Sequence, residues 1–509
     1  MAETEDPADG GSGEIAEMTA EFSPQFFDLA GKAGWEDLRA VYKTLQSVPL
    51  AEDDRVAAAP GAPTEGASAT EDRRDPLETI WELVESHGAT RALREPGYVD
   101  VDWRDEYANF YATTFRSHPD RGERVHFWRN VEYLGYIVIR PVRGRPVSRT
   151  MLKPPPEFRD RIAITTVSLA HPYGQAYAVE AAPYISQDLQ YGRCAHATIW
   201  MVAHYHTLQN RTPRRRMSDI VAAAASRHEI ERLVPSPGLT LGQVATALRE
   251  IGLPAVVYRA GKEPRGENLQ SIITRYLNSR LPIILGTFRS RSRAVDATTV
   301  PGHMTVLLGA YHGADGDFRV IRHDDLRGPY QTADAFNDVA GDWDTLFVPL
   351  PGRIYLVGEV LTGRAERMFA RLLEVAPAEV KADLERRKTR VRLYVVDTAD
   401  YKEHVFSRLP DATASAHAQA PASHWIWIAE LQDEKVAGEI DRNSGLPSSR
   451  DMVIAELAID ATSDPTHLNW LFGNYPGLSL SPTGEGELRA KHSGETRVAL
   501  YETGSALGL

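Results

Sequence analysis

The chain contains a single cysteine, Cys194, and this one fact limits the folds that are open to it. One cysteine excludes an intrachain disulfide and a cysteine-rich zinc site, which are the usual cross-links of small cores. Apolar burial must therefore hold the fold together. A length of 509 residues, 42% of them hydrophobic, is enough for roughly two to four globular domains.

The overall charge narrows the classes of partner. With a net charge of −13 at pH 7 and a pI of about 5.7, the chain lacks the basic surface that a general nucleic-acid binder needs. No apolar run reaches the length of a membrane span. The N-terminus is acidic and has neither the basic start nor the apolar stretch of a secretory signal. We therefore expect no nucleic-acid partner, no membrane span and a cytoplasmic location.

Composition and pattern divide the chain into four regions. Residues 1–75 are predicted to be a mostly disordered segment and linker, rich in acidic residues, Ala, Gly and Pro, with one short helix near residues 22–50. Residues 76–183 predict an N-terminal α+β module, and residues 184–351 predict the catalytic domain. Residues 352–509 predict a C-terminal α+β domain, so the expected fold class is α+β throughout.

The C-terminal region carries no recognisable catalytic motif. Its pattern predicts a strand over 353–361 and a helix over 365–387 that breaks near Pro377. Trp425 and Trp427 alternate with isoleucines, which is typical of a strand buried on both faces. We therefore interpret the two tryptophans as core residues rather than as a stacking platform.

Cys194 opens an apolar stretch whose pattern predicts a helix. A cysteine at a helix N-terminus lies at the positive end of the helix dipole, which favours the nucleophilic thiolate. The small side chains of Ala195 and Ala197 leave room for a substrate carbonyl beside the sulfur. Gln187 or Gln190 would supply a side-chain amide to an oxyanion hole, together with the backbone N–H of Cys194.

A thiolate nucleophile needs a base, and the base needs an orienting group. His303 begins an apolar strand directly after a Pro-Gly turn, which places its imidazole at the edge of a sheet. Asp324 or Asp325 follows at the end of the next strand, and antiparallel pairing would bring one of them beside His303. Adjacent strand residues face opposite sides, so only one aspartate can orient the base, and His323 points away from the side of Asp324.

These segments, in this order, resemble the papain-like cysteine peptidases, and within them the bacteriocin-leader-processing (double-glycine) peptidases. The resemblance covers residues 184–351 only. It consists of a glutamine before a cysteine-led helix, a helix–turn at 238–255, a Leu-Pro-Ile-Ile-Leu strand, a Gly-His-Met strand start and an aspartate after the next strand. It implies Cys194 as nucleophile, His303 as general base and acid, and Asp324 as the group that orients His303.

The chain departs from that family at two points. Ala195 and His196 follow the cysteine, where the family usually has glycine or serine. Gln187 lies seven residues before Cys194 and Gln190 lies four before it, and neither position matches the usual spacing of the oxyanion glutamine. Gln187 is the preferred candidate, because a one-residue loop insertion disturbs a fold less than a two-residue deletion.

The sequence predicts no cofactor and no metal site. His196, His204 and His206 invite a metal interpretation, but helical spacing does not place all three on one face. The chain also has no His-Glu-x-x-His pair.

The function predicted from these observations is that of a cysteine peptidase or amidase. Such an enzyme would cleave a peptide or isopeptide bond of a peptide or protein substrate through a thioester intermediate. Two alternatives stay open: transglutaminase- or deamidase-like acyl transfer on a partner protein, and a catalytically inactive papain-fold scaffold for binding. The large flanking regions predict regulated or selective substrate access, which would involve a regulatory partner protein.

Overall fold

A computed structural model describes residues 23–46, 75–114, 117–188, 191, 194–225, 238–259, 262, 268–287, 303–334, 343–375, 378–406, 423–435, 453–462, 468–473, 479–482, 488–492 and 494–498. The predicted disorder of residues 1–20 lies outside this range, as does nearly all of the predicted linker. The described parts mix helices with antiparallel sheets, as expected of an α+β protein.

The N-terminal module is built on a five-stranded antiparallel sheet. In spatial order its strands are Gln25–Asp28, Arg91–Tyr98, Gly122–Arg129, Glu132–Ile139 and Val147–Leu152. Its helices are Lys32–Gln46, Pro76–Ser86 and Val101–Asn109, with 3-10 turns at Tyr111–Thr113, Pro156–Arg161 and Pro172–Gly174 and a separate hairpin of Thr166–Ala170 and Tyr177–Ala181. Because Gln25–Asp28 pairs with Arg91–Tyr98, part of the predicted N-terminal segment belongs to this sheet.

The central region contains a six-stranded sheet. Its spatial order is Gly328–Asp334, Phe318–Asp324, His303–His312, Ile283–Thr287, Trp343–Pro349 and Ala255–Arg259. The helices of this region are Cys194–Asn210, Met217–Ala225, Leu241–Glu250 and Leu269–Asn278. The strand that begins at His303 is paired on both sides, and every residue between its two end histidines is buried, which explains its unbroken apolar run.

The C-terminal region corrects one prediction. Residues 353–361 do not form a strand: a turn is followed by a helix that begins at Gly358. Leu361, Ala365 and Phe369 are buried at a spacing of four, so the apolar residues of this stretch belong to a helical face that continues beyond the window predicted as a strand.

The other described elements of that region are helices and two antiparallel sheets. The helices are Gly358–Val375, Ala378–Arg386 and Thr398–Phe406, and the break predicted near Pro377 lies outside the described residues. The strands are Thr389–Asp397, Trp425–Asp433, Val453–Asp460 and Leu468–Gly473 in one sheet, and Ser479–Pro482, Leu488–His492 and Gly494–Val498 in another. Trp425 and Trp427 are buried, as predicted.

The three regions meet closely around the central sheet. The carbonyl of Leu308 accepts hydrogen bonds from the backbone N–H groups of Ala163 and Ile164, at 3.0 and 3.1 Å. Gly309 lies at this contact, and a Cβ added there would stand 2.1 Å from the carbonyl oxygen of Arg161, so only glycine fits. Within the described residues, no helix combines the length and the hydropathy that crossing a bilayer requires.

Candidate active site

Cys194 is the first residue of the helix Cys194–Asn210, and its side chain is half-buried. The hydroxyl of Thr198, one turn later, lies 2.6 Å from the carbonyl oxygen of Cys194 and 3.3 Å from that of Met304. Met304 directly follows His303, so this one hydroxyl fixes the start of the helix against the start of the histidine strand. The positive end of the helix dipole thus lies at the sulfur.

His303 connects the cysteine to a carboxylate. Its Nε2 lies 2.9 Å from Oδ1 of Asp324, and Cys194 is among the side chains that raise its pKa. With Nε2 engaged by Asp324, Nδ1 is the ring nitrogen that remains for the sulfur. The His303 side chain is 24% exposed, so the imidazole is accessible while its acidic partner is not.

Asp324 is held rigidly at the end of its strand. Its Oδ1 accepts hydrogen bonds from the backbone N–H groups of Leu326 and Arg327, at 3.0 and 3.2 Å, in addition to the contact with His303. Burial opposes ionisation here, but the charge and the hydrogen bond of His303 lower the pKa of Asp324 below its ordinary value. The carboxylate is therefore ionised at neutral pH.

The charge of His303 follows from these neighbours. Burial alone would lower its pKa. The charge and hydrogen bond of Asp324, the hydrogen bond with Cys194 and the charge of Asp325 outweigh burial and raise the pKa of His303 well above its ordinary value. An imidazolium beside a cysteine sulfur favours the thiolate, which is the form that attacks carbonyl carbon.

The structure distinguishes the two candidate aspartates. The strands of His303 and Asp324 are antiparallel neighbours, with Val306 opposite His323. Asp324 makes the hydrogen bond to His303, whereas Oδ1 of Asp325 lies 4.0 Å from the same nitrogen. Asp324 therefore occupies the orienting position, and Asp325 lies behind it.

Gln187 lies in a buried segment that leads to the cysteine helix. The residue is 4% exposed, and its side-chain amide makes no hydrogen bond to the described residues. No hydrogen bond among those residues joins Gln187 to the triad of Cys194, His303 and Asp324, so its role as an oxyanion donor stays a prediction. The alternative donor, Gln190, lies outside the described residues.

Buried polar residues of the N-terminal module hold this segment, and sequence reasoning did not single them out. The Arg140 guanidinium donates to the carbonyl oxygen of Ser186 at 2.8 Å, and Glu106 accepts from Arg140 at 2.8 and 3.0 Å. On the other side of Gln187, the Asp188 carboxylate accepts from the Tyr111 hydroxyl and from the backbone N–H of Tyr191. Tyr111 and Asp188 are 77 positions apart, so no local pattern could have revealed the pair.

Three other histidines do not take part in this arrangement. His323 is buried, accepts at Nδ1 from the backbone N–H of Tyr330 at 3.1 Å and faces the carbonyl of Ala182. Burial lowers the pKa of His323 to about 3, and it does the same to His204 and His206 in the cysteine helix. These three imidazoles are neutral core residues at ordinary pH.

The described residues contain one cluster with metal-ligand geometry, formed by His303, Asp324 and Asp325, whose ligand atoms lie within 4.8 Å of one another. His196, His204 and His206 are not part of it. The hydrogen bond of Asp324 to His303 accounts for the proximity of the first two members.

Comparisons with known proteins supply no family for the chain. No protein-family model matches it. A search of curated proteins likewise finds no significant match. The case for a function therefore depends on the geometry and electrostatics of the site itself.

Proposed function

We propose that the protein is a papain-like cysteine peptidase or amidase with Cys194 as its nucleophile. The observation that carries the proposal is the position of His303, which is hydrogen-bonded to Asp324 and whose pKa Cys194, at a helix start, helps to raise. Nucleophile, base and orienting group in contact are the minimum set for thiol-dependent acyl transfer.

The proposed reaction has two steps, formation of a thioester on Cys194 and its hydrolysis. The Cys194 thiolate attacks the amide carbonyl carbon, and the oxygen takes the negative charge beside the Cys194 N–H and the Gln187 amide. His303 gives its proton to the leaving nitrogen as the C–N bond breaks, which leaves a thioester. Water then attacks the thioester while His303 takes its proton, the C–S bond breaks, and the thiolate–imidazolium pair returns. Asp324 orients the imidazole and stabilises its positive charge throughout.

A peptide library analysed by mass spectrometry tests this proposal. It also identifies whether water or an amine accepts the acyl group from the thioester. Wild-type protein should generate cleaved peptides, and Cys194→Ala should generate none. A small mass gain without cleavage would instead indicate deamidation, and a cross-link would indicate transfer to an amine. Cleavage that persists in the Cys194→Ala variant would refute the proposal.

The segment that carries Gln187 gives a further prediction. Burial and the neighbouring Asp188 charge raise the pKa of Tyr111, so its hydroxyl stays protonated and donates to Asp188. Tyr111→Phe removes that hydrogen bond to a carboxylate, worth about 1.5–3 kcal/mol to the fold, and should lower kcat by about 3- to 10-fold because part of this loss loosens the segment that carries the oxyanion donor. Alkylation of Cys194 should not change, since the thiolate–imidazolium pair is untouched.

The matched control for that prediction is Tyr107→Phe. Tyr107 lies in the preceding helix Val101–Asn109 and packs on Trp103. Its variant loses a hydroxyl from the same part of the module without touching Asp188, so kcat should stay at the wild-type value. Equal kcat values for both variants and the wild type would show that Tyr111 does not position the segment.

A further inference from the structure

Asp325 is the most unusual charged group near the triad. Its side chain is fully buried, with 0% exposed surface. Neither carboxylate oxygen has a hydrogen-bond partner among the described residues. A buried carboxylate without partners is costly to the fold, so its presence beside the triad calls for a physical explanation.

The surroundings of Asp325 show what its charge can act on. Oδ1 lies 4.0 Å from Nε2 of His303, and among the described residues this imidazole is the one group within ion-pair distance of Asp325. The titratable and charged groups whose electrostatic effects reach Asp325 and its neighbours Asp324 and Tyr184 include His303, Arg145, Arg322 and Asp75. Tyr184 keeps its proton, because burial and the two aspartates raise its pKa well above the ordinary value, and it donates to the carbonyl oxygen of Asp324.

We propose that Asp325 is a positioning residue of this site that acts through charge: it holds the proton on His303 without touching the substrate or making a hydrogen bond to the imidazole. The proposal rests on the proposed function, since it assigns Asp325 to the thiolate–imidazolium pair of that site. Asp324 supplies the geometry of the imidazole, and Asp325 extends the pH range over which the imidazole stays charged.

The direction of the effect follows from the order of ionisation. Burial raises the pKa of Asp325 to about 7, with the Asp324 charge adding to the effect and the His303 charge opposing it. Asp325 therefore becomes negative as pH rises through neutrality, which is the range in which a histidine would otherwise lose its proton. A new negative charge about 4 Å from the imidazole stabilises the imidazolium, so His303 keeps its proton to higher pH.

The alkylation rate of Cys194 measures the charge of His303 without any knowledge of the substrate. Iodoacetate is an anion and gains rate from a neighbouring imidazolium, whereas iodoacetamide is neutral. The ratio of the two rates should therefore fall as pH rises through the pKa of His303. Because Cys194 is the only cysteine in the chain, the modified residue is unambiguous.

In Asp325→Asn the fall in that ratio should occur at least about one pH unit lower than in the wild type, because a nearby unit charge is lost while the shape is kept. Asp325→Leu should give the same shift in pH, and this variant replaces Asp325→Asn in the test if the asparagine variant does not fold. Asp315→Asn is the matched control: this aspartate is 47% exposed and lies at the far end of the same hairpin, paired with Arg319. In Asp315→Asn the ratio of the two alkylation rates should fall at the same pH as in the wild type.

The outcomes separate this proposal from the proposed function. A fall at the same pH in the wild type and in both Asp325 variants would overturn the role of Asp325, while leaving peptide cleavage intact as a separate result. A downward shift in the Asp325 variants with no shift in Asp315→Asn would support the role, even if no peptide in a library were cleaved.

Discussion

Replacing His303 by alanine should slow the alkylation of Cys194 at pH 7 by about 10-fold or more, and should lower peptide hydrolysis by about 10³-fold. Cys194 is among the side chains that act on the imidazole of His303. Without this imidazole, the sulfur loses its neighbouring base. The leaving nitrogen also loses its proton donor, so hydrolysis should suffer more than alkylation.

His312→Ala provides the matched control for His303→Ala. His312 ends the strand that His303 begins, and it hydrogen-bonds to Gln270 and to the carbonyl oxygen of Gly316. It is therefore the same residue type on the same strand, far from the sulfur. Both rates should stay within about 2-fold of wild type in that variant. Wild-type alkylation in His303→Ala would show that the imidazole does not activate the cysteine.

Replacing Arg140 by methionine should lower the free energy of unfolding by about 3–5 kcal/mol, because one partner of a buried ion pair is removed. The Arg140 side chain is 1% exposed. Its Nε donates to the carbonyl oxygen of Arg145 at 3.0 Å, in addition to its bonds with Glu106 and Ser186. Methionine fills much of the space but leaves those acceptors without their donor.

Chemical denaturation of the whole chain measures this loss, and Arg129→Met is its control. Arg129 pairs with Glu132 on the surface and is 47% exposed. Removing an exposed pair costs about 0–1 kcal/mol, so the two arginine variants should differ clearly. Similar losses for both would mean that the buried pair contributes no more than a surface pair.

The histidine strand and the cysteine helix were predictable from the sequence for a physical reason. The strand His303–His312 is paired on both sides and buried on both faces, so it had to be a continuous apolar run. Cys194 was predicted to begin a helix because a turn signal precedes a long apolar stretch, and the helix begins there. Local pattern is therefore sufficient to locate two members of the site.

Other features could not be predicted from local pattern. The choice between Asp324 and Asp325 depends on a side chain that reaches back along the strand, and alternation alone gives each of them one face. The support of the Gln187 segment comes from Arg140 and Tyr111, which belong to a different region of the chain. The strand prediction at residues 353–361 was wrong because a short window of apolar residues fits both a buried strand and the edge of a helical face.

One hydrophobic core extends through all three regions, and it contains Leu29 and Trp81 from the N-terminal module, Trp200 and Ile284 from the centre, and Trp427 and Leu457 from the C-terminal sheet. Polar contacts also cross between regions, including the backbone N–H of Val395, which donates to the hydroxyl oxygen of Ser279 at 3.0 Å. Regions in contact through one core contribute to each other's stability. A destabilising substitution in the C-terminal sheet should therefore also lower the stability of the region that holds Cys194, His303 and Asp324, although it lies far from the sulfur. The same free energy of unfolding therefore limits which substitutions are tolerated in the flanking regions and around Cys194.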